Sequence, residues 1–114
     1  MPKCLFCSIT DRSVATELIY EDEYVVAFHD VKPVAPIHIL VVPRVHIENV
    51  ADLGHDSDGV MTQLTRVANQ IARQFDIKTA GYRLVVNSGS DGGQTVPHLH
   101  MHLLGGHRLP ELAR

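Results

Sequence analysis

Three histidines, His98, His100 and His102, alternate with apolar residues in the run Val96-Pro97-His98-Leu99-His100-Met101-His102-Leu103-Leu104-Gly105-Gly106. On an extended strand successive side chains point to opposite faces. The three imidazoles then share one face, and Leu99, Met101 and Leu103 share the other. One face can enter a core while the other presents a row of imidazoles. A helix would scatter the histidines over a wide arc, and the two glycines that follow end the element. Side chains two apart on a strand are about 6–7 Å from each other. His98 and His102 can therefore flank a phosphate at His100, hydrogen-bond its oxygens or pass a proton to a leaving group. Imidazole attacks phosphorus when its other ring nitrogen is held by an acceptor that fixes the tautomer. His100, at the middle of the row, is the natural nucleophile. Just upstream, Ser88-Gly89-Ser90-Asp91-Gly92-Gly93-Gln94-Thr95 is a polar, glycine-rich loop. Such a loop lets backbone N–H groups approach an anion closely.

The elements that position this row are readable in order. Cys4 to Thr10 can form one short helical turn. Leu18-Ile19-Tyr20 and Tyr24 to His29 read as two strands, joined by a hairpin turn at Glu21-Asp22-Glu23. Asp30 to Pro36 is a loop, since two prolines break regular structure. Ile37-His38-Ile39-Leu40-Val41-Val42 is near-continuously apolar, as a central strand is, and Pro43 ends it. A short turn near Ile47 to Leu53 follows. Val60, Leu64, Val67, Ile71 and Phe75 fall on one face of a helix over about Ser57 to Phe75, with Asp56, Ser57 or Asp58 as its cap. Arg66 and Arg73 read as its solvated face. Tyr82 to Asn87 is a further strand, and His107 to Arg114 has no clear pattern. Strands in succession with one long helix inserted give an α+β class: an antiparallel sheet of about five strands, with the helix packed on one face.

The chain of 114 residues is one domain, and 45% hydrophobic residues suffice for its core. A net charge of -3 leaves no basic footprint for nucleic acid. No apolar run is long enough to span a bilayer, and no charged-then-apolar leader is present. The expected compartment is the cytoplasm. The two cysteines, in Cys4-Leu5-Phe6-Cys7, favour metal or redox chemistry over a structural disulfide. Two cysteines alone leave a zinc pair, a redox pair and an empty thiol pair open. His38 alone fits a packed, hydrogen-bonded interior position. Phe28-His29-Asp30-Val31 alone reads as a strand end with a turn aspartate.

The histidine run, with Asp91-Gly92-Gly93-Gln94-Thr95 before it and Leu104-Gly105-Gly106 at its end, resembles the signature of the histidine-triad (HIT) family. Within that family it looks like the HINT branch of nucleotide-binding proteins. The resemblance covers about Cys4 to Gly106. It implies a HIT-like fold and a purine nucleoside phosphoramidate hydrolase that needs no cofactor for catalysis. His100 would attack the α-phosphorus, and a nucleotidyl-histidine would then be hydrolysed to the nucleoside 5′-monophosphate. Ala35-Pro36-Ile37-His38-Ile39-Leu40-Val41-Val42-Pro43 matches the family's second signature, in which the histidine supports the active site. Asp30 would accept both ribose hydroxyls, with Phe28, His29 and Val31 as walls for the base. Asn87, Gly93, Gln94 and Thr95 match positions that hold the leaving group and the phosphate. Relatives with the same Cys-x-x-Cys bind a structural zinc through that pair, a histidine matching His46 and the first triad histidine, here His98. The family pairs two such sheets edge to edge, so a homodimer is expected.

Two rival readings remain: a dinucleoside-polyphosphate hydrolase, and a non-catalytic nucleotide-binding adaptor. The Gly105-Gly106 ending argues against the first, and retention of all four histidines against the second. Family members often end in a tail bearing a tryptophan that shapes leaving-group preference. This chain has no tryptophan and ends Leu109-Pro110-Glu111-Leu112-Ala113-Arg114.

Overall fold

Apolar alternation builds a sheet with two buried faces. The computed structural model describes residues Cys4–Leu112. Strands β1 (Tyr20–Glu21), β2 (Val25–His29), β3 (Ile37–Pro43), β4 (Arg83–Val85) and β5 (Met101–Gly105) form one antiparallel sheet in the order β1-β2-β3-β5-β4. A short helix α1 (Leu5–Thr10) precedes them, and the long helix α2 (Val60–Gln74) lies between β3 and β4. No helix among the described residues is long and apolar enough to cross a membrane.

Residues with one parity meet α2. Val25, Ala27, Ile39, Val41, Leu99, Met101 and Leu103 pack with Leu64, Val67, Ala68, Ile71 and Ala72 of the helix. The other parity meets α1: Val26, Phe28, Leu40 and Val42 cluster with Phe6 and Ile9. Arg66 and Arg73 are exposed, as expected of the solvated face of α2.

Several boundaries differ from the sequence expectation. β5 begins only at Met101, so His98, at the end of the Val96–His98 bend, and His100 stand just before it. β3 ends at Pro43, and the Leu99 amide donates 2.6 Å to the carbonyl of Ile47 beyond that end. The alternation of faces persists: Leu99, Met101 and Leu103 pack with α2, while His98 and His100 meet Phe6 of α1. Gly105 belongs to β5, and Gly106, at φ +98°, ends it. α2 starts at Val60 rather than Ser57, capped by Gly59 and not by Asp56, Ser57 or Asp58. Gly59 sits at φ +91°, a left-handed break that leaves His55–Ser57 as a separate 3-10 turn. β1 reaches Glu21, and its turn is closed by Asp22, whose Oδ1 accepts from the amides of Tyr24 (2.7 Å) and Val25 (2.8 Å). β4 spans only three of the residues from Tyr82 to Asn87.

Candidate active site

The nucleophile candidate is held by main chain. The ring of His100 is buried, and its Nδ1 lies 2.7 Å from the carbonyl oxygen of His98. A carbonyl only accepts, so Nδ1 carries the proton and Nε2 carries the lone pair. Phe6 stands edge-on to the ring at 5.1 Å between centroids, and the His102 ring lies 5.0 Å away.

A second chain of bonds fixes His102. His38 lies opposite Leu104, and Leu40 opposite His102, so His38 and His102 are diagonal neighbours on one face. The Val34 amide donates to His38 Nδ1 at 3.1 Å. The neutral His38 ring then carries its proton on Nε2, 2.9 Å from His102 Nδ1 and 3.3 Å from Asp30 Oδ2. His102 accepts at Nδ1, so its own proton is on Nε2. The same logic excludes a metal at Asp30, His38 and His102, whose ligand atoms lie close together. A lone pair on His38 Nε2 would require a proton on Nδ1, facing the Val34 N–H.

Burial pushes the pKa of His102 from 6.5 down to about 4, helped by the charges of His100 and His38 and opposed by Asp30. Burial lowers His38 as well, against the pull of Asp30. It also lowers His98, where the Pro43 carbonyl opposes it. These rings are neutral near pH 7. Between pH 6.5 and about 4 the unfolded chain holds a proton that folded His102 refuses. Stability is therefore full above that window and falls as pH drops through it. Thermal melts of chelator-treated protein are expected to show a melting temperature that declines progressively from pH 6.5 to pH 4. A flat profile over that range would contradict the neutral relay.

His100 and His102 open onto a cavity of about 270 Å³. Phe28, Asp30, Val31 and Thr95 line it. His29 borders it too, but its ring turns to the α2 side and packs edge-on to Phe75 at 6.2 Å. Asp30 is half-buried, and its Oδ1 accepts from the Lys32 amide at 2.7 Å. Seven wall residues were missed from sequence: Thr16, Lys32, Leu40 and Val96, and Leu5, Phe6 and Ile9 of α1. The spacing of the three in α1, i, i+1 and i+4, was the available signal for one apolar face of a turn.

The loop before His98 is braced by its own side chains. Asn87 donates 2.7 Å to the Gly92 carbonyl. Gln94 Oε1 accepts from the Gly89 amide at 2.8 Å, and its Nε2 donates to the Glu48 (2.7 Å) and Val96 (2.9 Å) carbonyls. A Cβ at Gly92 would fall 2.4 Å from the Ser88 carbonyl oxygen, so no side chain fits there. Gly93, at φ +85°, turns the loop beside Asn87. Of Asn87, Gly93, Gln94 and Thr95, only Thr95 borders the cavity.

His98 is turned away from that cavity. Its Nε2 lies 2.9 Å from the Pro43 carbonyl and therefore carries the proton. Its Nδ1 lone pair faces the sulfurs of Cys4 (3.4 Å) and Cys7 (3.5 Å) and His46 Nδ1 (3.2 Å). Cys7 Sγ is 3.2 Å from His46 Nδ1, and all four ligand atoms lie within 4.8 Å of one another. Neither cysteine is in a disulfide. Bonds of about 2.0–2.3 Å around a tetrahedral zinc set ligand atoms about 3.3–3.8 Å apart. Two thiolates and two imidazoles in this arrangement fit that ion.

An antiparallel five-stranded sheet whose last strand carries one histidine, with two more alternating just before it, is the architecture of a histidine-triad protein. The HIT domain matches residues 11–109, and the chain belongs to that family. It is 42% identical over 110 residues to the purine nucleoside phosphoramidase of Escherichia coli (strain K12), covering 96% of this chain and 92% of that one. Its fold superimposes on a histidine triad protein from Clostridium difficile with TM-score 0.93, 40% identity, and coverage of 99% and 100%. A HIT family hydrolase from Clostridium thermocellum gives TM-score 0.94 at 39% identity, covering 99% of each chain.

Proposed function

We propose that this protein is a purine nucleoside phosphoramidate hydrolase acting through a nucleotidyl-His100 intermediate. The carrying observation is the His98 carbonyl on His100 Nδ1, which leaves a neutral Nε2 lone pair beside an apolar cavity. Nε2 attacks the α-phosphorus, and the P–N bond to the amine breaks. Water then attacks the same phosphorus, frees His100 and releases the nucleoside monophosphate. The amine takes up one proton on leaving and the attacking water returns one, so the cycle is proton-neutral. His102 donates an Nε2–H hydrogen bond to the phosphoryl oxygens, and solvent water carries the proton between the two half-reactions. His38 and the Val34 amide keep His102 in the donating tautomer. His98 has both nitrogens committed elsewhere, so it acts as a positioning residue rather than a catalytic one. Phe6, Phe28 and Val31 offer apolar walls to the base. A second lone pair remains on each Asp30 oxygen for the ribose hydroxyls.

Cys4, Cys7, His46 and His98 would hold a structural zinc, with the Pro43 carbonyl orienting His98 from behind. Bound there, the ion supplies a cross-link between the start of α1 and the sheet, and no chemistry at phosphorus. Two thiols outside any disulfide suit the reducing cytoplasm, the compartment we assign. A second copy of this chain is the expected partner: β4 is a short sheet edge whose residues stay partly accessible. Light scattering at micromolar concentration should give twice the chain mass, and a monomer mass would refute the dimer.

The activity is tested with adenosine and guanosine 5′-phosphoramidates assayed against diadenosine polyphosphates at equal concentration. Faster release of the monophosphate from the phosphoramidates supports the reading. Preference for the polyphosphates would replace it with that hydrolase class, and no turnover of either with AMP still bound would leave an adaptor.

A further inference from the structure

α1 is only six residues long, too short to hold its shape or place unaided. Yet it supplies Leu5, Phe6 and Ile9 to the cavity wall and sets the Phe6 ring against His98, His100 and Phe28. Its first end is tied to the sheet by Cys4 and Cys7. Its last end is tied by Arg44, one residue beyond β3.

Arg44 spreads its guanidinium over three acceptors from two segments, the end of α1 and the β1–β2 corner. Nη1 donates 2.6 Å to the carbonyl of Thr10, the last residue of α1. Nε donates 2.7 Å to the Asp22 carbonyl in the β1–β2 turn. Nη2 lies 3.2 Å from Glu21 Oε2. Its amide continues the sheet by donating 2.8 Å to Tyr24. The other late carbonyls of α1 are met locally: Cys7 by Asp11, Ser8 by Val14 and Ile9 by Arg12. Thr10 is met from the sheet, by a cation placed at the negative end of the helix. The planar fork reaches all three acceptors at once, which an ammonium cannot do. Glu21 also pairs with Arg12 just after α1, drawing that turn onto the same strand.

We propose that Arg44 is a positioning residue for nucleotide binding, which holds the last turn of α1 so that Phe6 and Ile9 form the cavity wall. The proposal rests on the reading that a nucleoside monophosphate occupies this cavity. Arg44 touches neither the cavity nor the four histidines, so its effect falls on affinity and not on the chemical step. The test uses full-length, metal-loaded R44M and R44K, with AMP binding by calorimetry and steady-state kinetics on adenosine phosphoramidate. R44M should raise the AMP Kd and the KM about tenfold while kcat stays within about threefold. R44K keeps a charge beside Glu21 but loses the fork, and should fall between R44M and wild type. It also supplies the measurement if R44M does not fold. Amide exchange at Ser8 to Asp11 should speed up in both. Unchanged Kd and KM, even with a lower melting temperature, would overturn the proposal and leave Arg44 a general stabiliser. Failure of the wild-type protein to bind AMP would instead overturn the nucleotide reading itself.

Discussion

Replacing His100 by alanine or glycine should lower turnover of adenosine phosphoramidate by about four orders of magnitude or more. AMP binding should stay within about tenfold of wild type, because Phe6, Phe28, Asp30 and Val31 still line the cavity. The two effects separate because His100 alone offers an unprotonated nitrogen to the cavity. His98 spends Nε2 on Pro43 and turns Nδ1 to the thiols. His102 spends Nδ1 on His38. No neighbour can take over the attack. Steady-state kinetics with calorimetry of AMP binding measures both quantities, and a tenth of wild-type activity in the variant would remove His100 from the nucleophile role.

The second large effect concerns Cys4, Cys7, His46 and His98. Their ligand atoms converge only when α1, the turn after β3 and the chain before β5 come together, so metal affinity is coupled to folding. Protein purified without chelator or added metal should carry about one zinc per chain. Removing it should lower the melting temperature on the order of 10 °C, and Cys4→Ser should reproduce the loss. Binding needs thiolates and neutral imidazoles, so the metal should leave as pH falls below about 5–6. Activity should fall by less than about tenfold, since the His98 carbonyl still holds His100. A zinc content well below one per chain, with no thermal shift when zinc is added to reduced protein, would leave Cys4 and Cys7 as an unoccupied thiol pair.

The imidazole face was legible because alternation needs only an extended chain. It did not reveal that the ladder starts at Met101, since that depends on β3 ending at Pro43 and on the Leu99–Ile47 bond. The face of α2 was legible from its spacing, whereas its start was hidden by a glycine at positive φ after three polar residues that each suit a cap. The groups that set the tautomers were out of reach. The His98 carbonyl, the Pro43 carbonyl and the Val34 amide belong to main chain, and main chain has no letter of its own in a sequence. Asn87 and Gln94 were named as site residues by resemblance; the Asn87 amide is spent on Gly92, and the Gln94 amide on Gly89, Val96 and, beyond the loop, Glu48. The α1 wall was missed because its i, i+1, i+4 spacing occurs once, in six residues, with no second turn to repeat it.

The covalent intermediate is the central claim, and rapid acid quench during turnover of adenosine phosphoramidate, followed by peptide mass spectrometry, tests it most directly. An adenylyl group is expected on the peptide containing His98, His100 and His102, localised by fragmentation to His100 and absent from His100→Ala. Turnover at the wild-type rate with no adduct at any quench time, or an adduct localised to His98 or His102, would contradict that claim.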